Sequence, residues 1–274
     1  MFSLFQWKNL FKGMMIGASD VVPGVSGGTI ALLVGIYERL IGAINGLTTK
    51  DWKRHVIFLI PVGLGMGISI LTLSHLFSYL LESFPKPTFF FFLGLVMAIV
   101  PLLLREAEYK QNFQASHYVL LVIAAIFVAW TGFMGEPTSA VMTSLSGKDY
   151  VFLFFAGWLA SSAMILPGIS GSLVLLLLGV YETIINAVKT LHFPIILAVG
   201  FGVVIGLLLT SKFISYLFKN FRTATYAVVT GFVVGSIFVI FPGLPETFLY
   251  TIICLITFVF GFYLAYLLGQ AGER

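Results

Sequence analysis

Charged residues and cysteine are both scarce in this sequence. Only 9% of the 274 residues are Asp, Glu, Lys or Arg, whereas 59% are hydrophobic. A soluble domain carries about 25% charged residues, so the composition excludes a soluble globular protein and indicates an integral membrane protein. The single cysteine, Cys254, excludes an intrachain disulfide and gives no sign of redox chemistry.

Residues that carry catalysis are also few. Enzymes that form a phospho-histidine or bind a catalytic metal need histidine beside clusters of Arg, Lys or acids. The sequence has four histidines, and none belongs to such a cluster: His55, His75, His117 and His192. We therefore expect no enzyme activity, catalytic residue, metal or cofactor. The formal charge of +4 is spread over several loops and does not indicate a nucleic-acid partner.

Long apolar runs dominate what remains. A membrane-spanning helix needs roughly 20 residues, and six runs approach or exceed that length: 56–81, 87–104, 118–134, 195–218, 224–242 and 247–268. Two further segments, 10–44 and 150–188, are apolar but are interrupted by Pro, Gly and hydroxyl residues. The basic, amphipathic N-terminal stretch predicts an interfacial helix that leads into the first interrupted segment, without a signal peptide.

The two halves of the chain repeat each other. A shift of 144 residues aligns "PGVSG" from Pro23 with "PGISG" from Pro167, and "GIYE" from Gly35 with "GVYE" from Gly179. A shift of 137 residues then aligns "VGLG" at 62–65 with "VGFG" at 199–202, and also Gly94 with Gly231. The sequence therefore predicts a first repeat over 1–134, a linker over 135–149 and a second repeat over 150–274.

The distribution of Lys and Arg distinguishes two topologies, because these residues favour cytoplasmic loops. Two of the 15 basic residues, Arg39 and Lys212, lie in or beside apolar segments and are set aside. If both interrupted segments are re-entrant, ten of the other 13 lie on one side of the membrane and three on the other. If both segments cross the membrane, seven lie on one side and six on the other. We therefore predict an all-α polytopic membrane protein with two inverted repeats. Each repeat has a re-entrant helical hairpin and three transmembrane helices, and both termini are cytoplasmic.

The tips of the two hairpins are candidates for an anion site. Irregular backbone at membrane depth is tolerated only where it is buried in protein or lines a polar cavity. Free N–H groups and hydroxyls at a helix start favour anions, although Pro and Gly also make simple tight turns. The candidate anion-binding residues at the tips are Gly24, Ser26, Gly27, Gly28, Thr29, Gly168, Ser170, Gly171 and Ser172.

Two basic residues inside predicted spanning helices are further candidates for binding the anion. His75 aligns with Lys212 in the repeat. Ionisable groups within the bilayer usually face a cavity or a partner, so both side chains could meet the anion. The alternative is that they extend toward the nearby headgroup region.

Four charged residues in the interrupted segments are candidates for carrying charge or protons. Glu38 and Glu182 each follow a Tyr, 14 residues beyond the first glycine of the tip, about 21 Å along a straight helix. They are either interfacial anchors or partners of basic groups. Arg39 follows Glu38 but aligns with Thr183. Asp20 aligns with Met164 and is either part of the site or a cap of the following helix.

The interrupted segments resemble a known family. "GASDVVPGVSGGTIALLVGIYERLI" and "LPGISGSLVLLLLGVYETII" are similar to the signature of a bacterial membrane family described as polyprenyl-phosphate transporters, and the resemblance covers about 10–268. It implies a plasma-membrane flippase that returns undecaprenyl phosphate, the lipid carrier of cell-wall precursors, from the outer to the cytoplasmic leaflet. The partners are then this lipid and the bilayer, with a homo-oligomer left open.

The tips would in that case bind the lipid phosphate, and the repeated Glu and His75 raise the hypothesis of proton coupling. Two other functions stay open. A transporter or channel for a small anion would use the same hairpin geometry. A membrane lipid phosphatase has less support because its catalytic clusters are missing.

Overall fold

The computed structural model of the protein describes residues 7–22, 24–132, 141–142 and 145–272. These residues form helices joined by short turns, and no strand occurs among them. The first half contains α1 (Trp7–Asp20), α2 (Gly27–Leu33), α3 (Tyr37–Gly46), α4 (Trp52–Ser83), α5 (Pro85–Glu106), α6 (Tyr109–Asn112) and α7 (Ala115–Thr131). The second half contains α8 (Gly147–Ile165), α9 (Gly171–Leu177), α10 (Tyr181–Lys189), α11 (Phe193–Asn220), α12 (Arg222–Ile240) and α13 (Phe248–Gly272).

Among the described helices, five are long and apolar enough to cross a membrane, namely α4, α5, α11, α12 and α13. The prediction of an all-helical, multi-pass membrane protein is therefore confirmed. The remaining predicted run, 118–134, corresponds to the shorter apolar helix α7, and its last two residues lie outside the described part of the chain. The predicted linker, 135–149, also lies partly outside it, and α8 begins within that range at Gly147.

Each interrupted segment folds back on itself. In the first, Lys12 Nζ of α1 donates to the carbonyl of Val34, just after α2, at 2.7 Å. The end of α2 therefore lies beside the middle of α1. In the second, the backbone N–H of Met142, just before α8, donates to Thr183 Oγ1 of α10 at 3.0 Å. Both segments therefore bring their two arms side by side, in a helical hairpin.

The returning arm of each hairpin is bent, which the sequence did not lead us to expect. A straight helix was assumed beyond the tip, but the chain direction changes by 117° from α2 to α3 and by 111° from α9 to α10. Gly35 and Gly179 lie at the two bends with φ of 67° and 71°. Glycine adopts this left-handed conformation without the steric cost that a side chain would add.

The two halves use the same close helix contacts. α1 packs along α4, and α8 packs along α11. In both pairs, glycines lie so close to a carbonyl of the facing helix that no side chain would fit, as is common where membrane helices approach each other. These contacts are Gly13–Val62 and Gly65–Leu10 in the first pair, and the repeat-equivalent Gly157–Val199 and Gly202–Phe154 in the second.

The last helix of each half packs against the other half. α13 of the second half packs along α5, and α7 of the first half packs along α12. Here, too, the contacts are equivalent under the shift of 137 residues, since Gly94 meets the Phe258 carbonyl and Gly231 meets the Leu121 carbonyl. The two predicted repeats are therefore interlocked through these helices.

The two hairpins differ in how they pack against the rest of the molecule. α3 packs against α11, and α2 packs against α5 and α13. Among the described helices, α9 and α10 have no comparable packing against the first half. Six of the seven residues of α2 are buried, and α9 has no buried residue. The first hairpin is therefore enclosed and the second is open.

Candidate functional site

The tips of the two hairpins are in direct contact. The backbone N–H of Gly168 donates to Thr29 Oγ1 at 2.8 Å, and Ser26 Oγ donates to the Leu166 carbonyl at 3.3 Å. Gly168 has φ of 81° and Gly24 has φ of 82°, so both tips need the left-handed conformation that favours glycine. Residues separated by about 140 positions are thus joined at one point by polar groups.

The polar groups of the first tip are already used within the protein. Ser26 is 3% exposed and Thr29 is 1% exposed. The backbone N–H of Gly27, at the start of α2, donates to Asp20 Oδ1 at 2.9 Å. This is the contact that the capping interpretation of Asp20 expects. A ligand at the first tip would have to replace these partners.

The polar groups of the second tip are more accessible. Ser170 Oγ and Ser172 Oγ lie 2.7 Å apart and form a hydrogen bond with each other. Ser172 is exposed, and Ser170 and Gly171 are partly exposed. Methionine replaces the capping aspartate in this half at Met164. The second tip therefore offers hydroxyls that a ligand can reach without breaking the contact between the hairpins.

A cavity of about 290 Å³ lies beside the first tip. Its polar edge is formed by Asp20, Gly27 and Gly28, and most of its remaining wall is apolar, from α3, α4 and α11. Asp20 Oδ2 is buried and has no hydrogen-bond partner among the described residues. A carboxylate oxygen in such a setting costs free energy when it is ionised, so a proton or a cation would be favoured there.

Glu38 lies in a polar cluster rather than at the end of a straight helix. Because α3 is bent relative to α2, Glu38 Oε1 accepts a hydrogen bond from Tyr226 Oη at 2.6 Å and lies 3.4 Å from Arg222 Nη2. A cavity of about 340 Å³ opens beside this cluster and is also lined by Arg39 and Glu106. The estimate of about 21 Å from the tip assumed a straight helix, and the bend between α2 and α3 shows that this assumption was wrong.

The described part of the second half has no such cluster. Glu182 is exposed and has no hydrogen bond or ion pair with a described residue. The residues equivalent to Arg222 and Tyr226 under the shift of 137 residues are Pro85 and Phe89, which offer no donor to a carboxylate. Arg39 lies close to Glu38 in sequence, but its guanidinium is over the ring of Phe58, 4.3 Å from the centroid.

Among the described residues, no hydrogen bond or ion pair joins His75 or Lys212 to the tips. Both are exposed, on the outer faces of α4 and α11, and neither lines a described cavity. Lys212 is eight residues from the end of its 28-residue helix, which is about 42 Å long and longer than the roughly 30 Å of hydrocarbon. Its side chain can therefore extend to the headgroup region, as the alternative interpretation expects.

Tyr37 is a central residue that the sequence did not single out. It is 3% exposed, its Oη donates to the Ile165 carbonyl of the second hairpin at 3.1 Å, and it lines both cavities described above. Its ring meets Phe218 at 6.0 Å, and Phe218 meets Tyr226 at 5.4 Å. These rings connect the tips to the Glu38 cluster. The only signal was the tyrosine in the repeated "GxYE" motif.

The described residues contain no group of three or more His, Cys, Asp or Glu that could hold a metal ion. The functional groups in the two regions are hydroxyls, backbone N–H groups, the carboxylates of Asp20, Glu38 and Glu106, and the guanidiniums of Arg39 and Arg222. Such groups bind and release anions and protons, and no nucleophile–base pair accompanies them. The geometry therefore supports binding of a charged group rather than covalent catalysis.

Comparison with known proteins agrees with this chemistry. The chain is 44% identical over 274 residues to a polyprenyl-phosphate transporter of Staphylococcus aureus (strain NCTC 8325 / PS 47), covering 97% of each chain. It is 40% identical over 244 residues to a polyprenyl-phosphate transporter of Vibrio cholerae serotype O1 (strain ATCC 39315 / El Tor Inaba N16961), covering 84% of this chain and 76% of the other.

No solved structure matches the chain significantly. The names of the two relatives describe transporters and not enzymes. Residues 16–252, most of the chain, match the family described as VCA0040-like, undecaprenyl phosphate translocase-like. The chain therefore belongs to this family of undecaprenyl phosphate translocase-like proteins.

Proposed function

We propose that the protein is a flippase for polyprenyl phosphate, with undecaprenyl phosphate as its substrate, and that it moves the lipid from the outer to the cytoplasmic leaflet. The relatives' names support a polyprenyl-phosphate transporter. The observation that carries the mechanism is the contact between the tips, Gly168 N–H to Thr29 Oγ1 at 2.8 Å. It joins two donor-rich turns within a molecule whose surroundings are otherwise apolar.

The proposed orientation places both termini in the cytoplasm of a cell with this protein in its plasma membrane. Ten of the 13 loop Lys and Arg residues then lie on the cytoplasmic side. With three crossings between the hairpins, the first hairpin enters from the cytoplasmic side and the second from the outside, which makes the repeats inverted. Inverted repeats with broken helices are common in transporters and place the substrate near the midplane.

The proposed path begins at the open second tip. A phosphate headgroup that crosses about 30 Å of hydrocarbon would lose its water at a large cost. The hydroxyls of Ser170 and Ser172 replace part of that water from the outer side, while the isoprenoid tail stays in the surrounding lipid. The enclosed first tip then has to exchange its internal hydrogen bonds for the phosphate before the lipid continues to the cytoplasmic leaflet.

Proton coupling is part of the proposal. It is motivated by Asp20, whose Oδ2 is buried without a hydrogen-bond partner among the described residues. A carboxyl group beside the path can take up a proton when the phosphate arrives and displaces its donor, the Gly27 N–H, and lose it when the phosphate leaves and the donor returns. Transport should then respond to imposed pH gradients, and Asp20→Asn should reduce that response. Indifference of the wild-type protein to the gradient would remove proton coupling.

The test of the function is leaflet exchange of a short-chain polyprenyl phosphate in liposomes that contain the purified protein. Ser170→Ala with Ser172→Ala should slow the exchange by about tenfold or more, since hydrogen bonds to a charged group contribute about 1.5–3 kcal/mol each. Ser26→Ala with Ser170→Ala should also slow it. The matched control is Thr72→Ala, because the Thr72 hydroxyl bonds only to the Ile68 carbonyl of its own helix.

Normal exchange in both tip variants would exclude the tips from the mechanism. The same liposomes distinguish lipid transport from transport of a small anion. Soluble phosphate or sulfate in excess should compete weakly with a polyprenyl phosphate that is held partly by its tail. Uptake of labelled phosphate or sulfate, with no movement of the lipid, would favour the small-anion function.

A further inference from the structure

We propose that Arg222 and Tyr226 form an anion site for the phosphate group at the end of the transport path, and that the carboxylate of Glu38 occupies this site in the present structure. The inference rests on the proposed function. Tyr226 Oη and Arg222 Nη2 approach the same oxygen, Glu38 Oε1, at 2.6 and 3.4 Å. A hydroxyl and a guanidinium that converge on one anionic oxygen are also suitable donors for a phosphate oxygen.

The guanidinium of Arg222 is not saturated by Glu38. The distance of 3.4 Å exceeds the 2.7–2.9 Å usual for a charge-assisted hydrogen bond, and a guanidinium has five N–H donors. The Arg222 side chain is 57% exposed. The Tyr226 ring lies beside it, 5.4 Å from Cζ, and restricts its position. The Arg222 guanidinium, which would bind the phosphate, is therefore positioned by the Tyr226 ring and accessible to a ligand.

The cavity beside this pair can admit a phosphate and the first part of its tail. Its volume is about 340 Å³, and Leu102 and Leu103 supply an apolar wall opposite the charged residues. Glu38 and Glu106 balance the charges of Arg39 and Arg222, so an arriving anion is not attracted until a carboxylate withdraws. The Glu38 side chain is 41% exposed, so water can solvate its carboxylate when the phosphate takes its place.

This arrangement exists in only one half of the molecule. Under the shift of 137 residues, Arg222 aligns with Pro85, Tyr226 with Phe89 and Glu106 with Gly243. Glu182, the counterpart of Glu38, has no hydrogen bond or ion pair within the described ranges. In the proposed orientation the site lies at the cytoplasmic end. Exchange of carboxylate for phosphate is therefore available at one end of the path only.

The experiment measures binding of geranyl phosphate to the purified full-length protein in detergent by calorimetry, with inorganic phosphate and geraniol as separate arms. Arg222→Gln should weaken geranyl phosphate binding by about tenfold or more, the effect of one charged hydrogen bond. Tyr226→Phe should weaken it less. Glu38→Gln should strengthen it several-fold, because the competing negative charge is removed. Geraniol should respond to neither charge substitution.

The opposite signs of Arg222→Gln and Glu38→Gln separate this site from a structural ion pair, in which both substitutions would weaken binding. Two charge-matched controls should bind like the wild type: Lys219→Gln, which removes an exposed cation near the same end, and Glu182→Gln. If Arg222→Gln unfolds, Arg222→Lys keeps the charge but not the fork and should retain part of the affinity.

Several results would overturn the inference. If the wild type binds geranyl phosphate and Arg222→Gln binds it equally well, the site is wrong while the proposed function stands. The same holds if Glu38→Gln weakens binding as Arg222→Gln does. One further result would support the site: if inorganic phosphate binds as tightly as geranyl phosphate and responds to the same variants, the site binds the phosphate headgroup and the tail contributes no affinity. Failure of the wild type to bind geranyl phosphate would contradict the proposed function, and the inference with it.

Discussion

Replacing Thr29 by valine should loosen the contact between the two tips with almost no change in side-chain volume. Thr29 Oγ1 accepts the N–H of Gly168 at 2.8 Å, and Thr29 is only 1% exposed. The substitution leaves a buried donor without its acceptor, which costs about 1–3 kcal/mol. A free-energy change of that size shifts the balance between joined and separated tips by about 5- to 150-fold.

Hydrogen exchange followed by mass spectrometry can measure this shift. Peptides that cover 164–172 should exchange faster in Thr29→Val by the same factor if their amides exchange through local opening, while α5 and α12 should be unaffected. Thr225→Val is the matched control, because the Thr225 hydroxyl donates only to the Phe221 carbonyl of its own helix, at 2.8 Å. Exchange in Thr29→Val that equals that of the wild type would refute the contact between the tips.

Three further predictions concern stability. Gly65→Leu and Gly202→Leu should each lower the thermal unfolding temperature strongly, because their side chains would meet a facing carbonyl. Gly63→Leu and Gly200→Leu should change it little, because the space beside these glycines is open. Equal effects at the two kinds of position would contradict the helix pairing. Gly168→Ala should destabilise more than Gly24→Ala, since both have positive φ but only Gly168 would also meet a carbonyl, that of Phe232; a larger effect at Gly24 would contradict the tip geometry. Lys86 bonds to Glu246 at 2.6 Å and holds the pKa of that carboxyl below its usual value. The pair therefore stabilises the fold above the ordinary carboxyl pKa of about 4.3, and its contribution is lost as the pH falls through the lowered pKa. The unfolding temperature should therefore fall between neutral and acid pH partly because this pair is lost. Lys86→Gln should make that fall smaller by the contribution of the pair, and a fall equal to that of the wild type would contradict the pairing.

The repeat made much of the fold accessible from sequence. The alignments of Gly65 with Gly202 and of Gly94 with Gly231 correspond to equivalent helix contacts in the structure. A helix contact of this kind depends on a small residue at one position, and small residues are conspicuous in an apolar sequence. The partner of each helix was less accessible, because the crossing of α7 and α13 to the opposite half depends on long-range packing.

The bend at Gly35 could not be read from the sequence with the same ease. A single glycine among Leu32, Leu33, Val34 and Ile36 is compatible with a continuous apolar helix, because glycine permits a left-handed turn but does not require one. The same local backbone bonds end α2 and α9: the Gly35 N–H donates to the Leu32 carbonyl and the Ile36 N–H to the Ala31 carbonyl, and Gly179 and Val180 donate in the same way. In the first half the bend also brings Tyr37 and Glu38 to Ile165 and Tyr226. Those partners lie in the other half of the chain, so the sequence around Gly35 does not show them.

The exposure of His75 and Lys212 could not be predicted from the sequence for a different reason. Their depth along a helix follows from counting residues, but the face on which they lie depends on how the helix is rotated. A helix that is apolar all round gives little indication of its buried face. Both residues are exposed on their helices in the structure.

The asymmetry between the hairpins depends on a few substitutions between otherwise similar halves. Three of the polar groups that hold the first hairpin in place have apolar counterparts, whereas Ser26 and Tyr37 correspond to Ser170 and Tyr181. Of the three, Thr29 corresponds to Leu173, Asp20 to Met164 and Tyr226 to Phe89. Thr29 and Tyr226 hold contacts between the halves, and Asp20 caps the first tip. Because unpaired buried polar groups are costly, these residues favour an enclosed first hairpin, whereas the second hairpin loses no comparable bond when it is open. The same substitutions therefore account for which tip is enclosed and for the location of the charged cluster at only one end of the molecule.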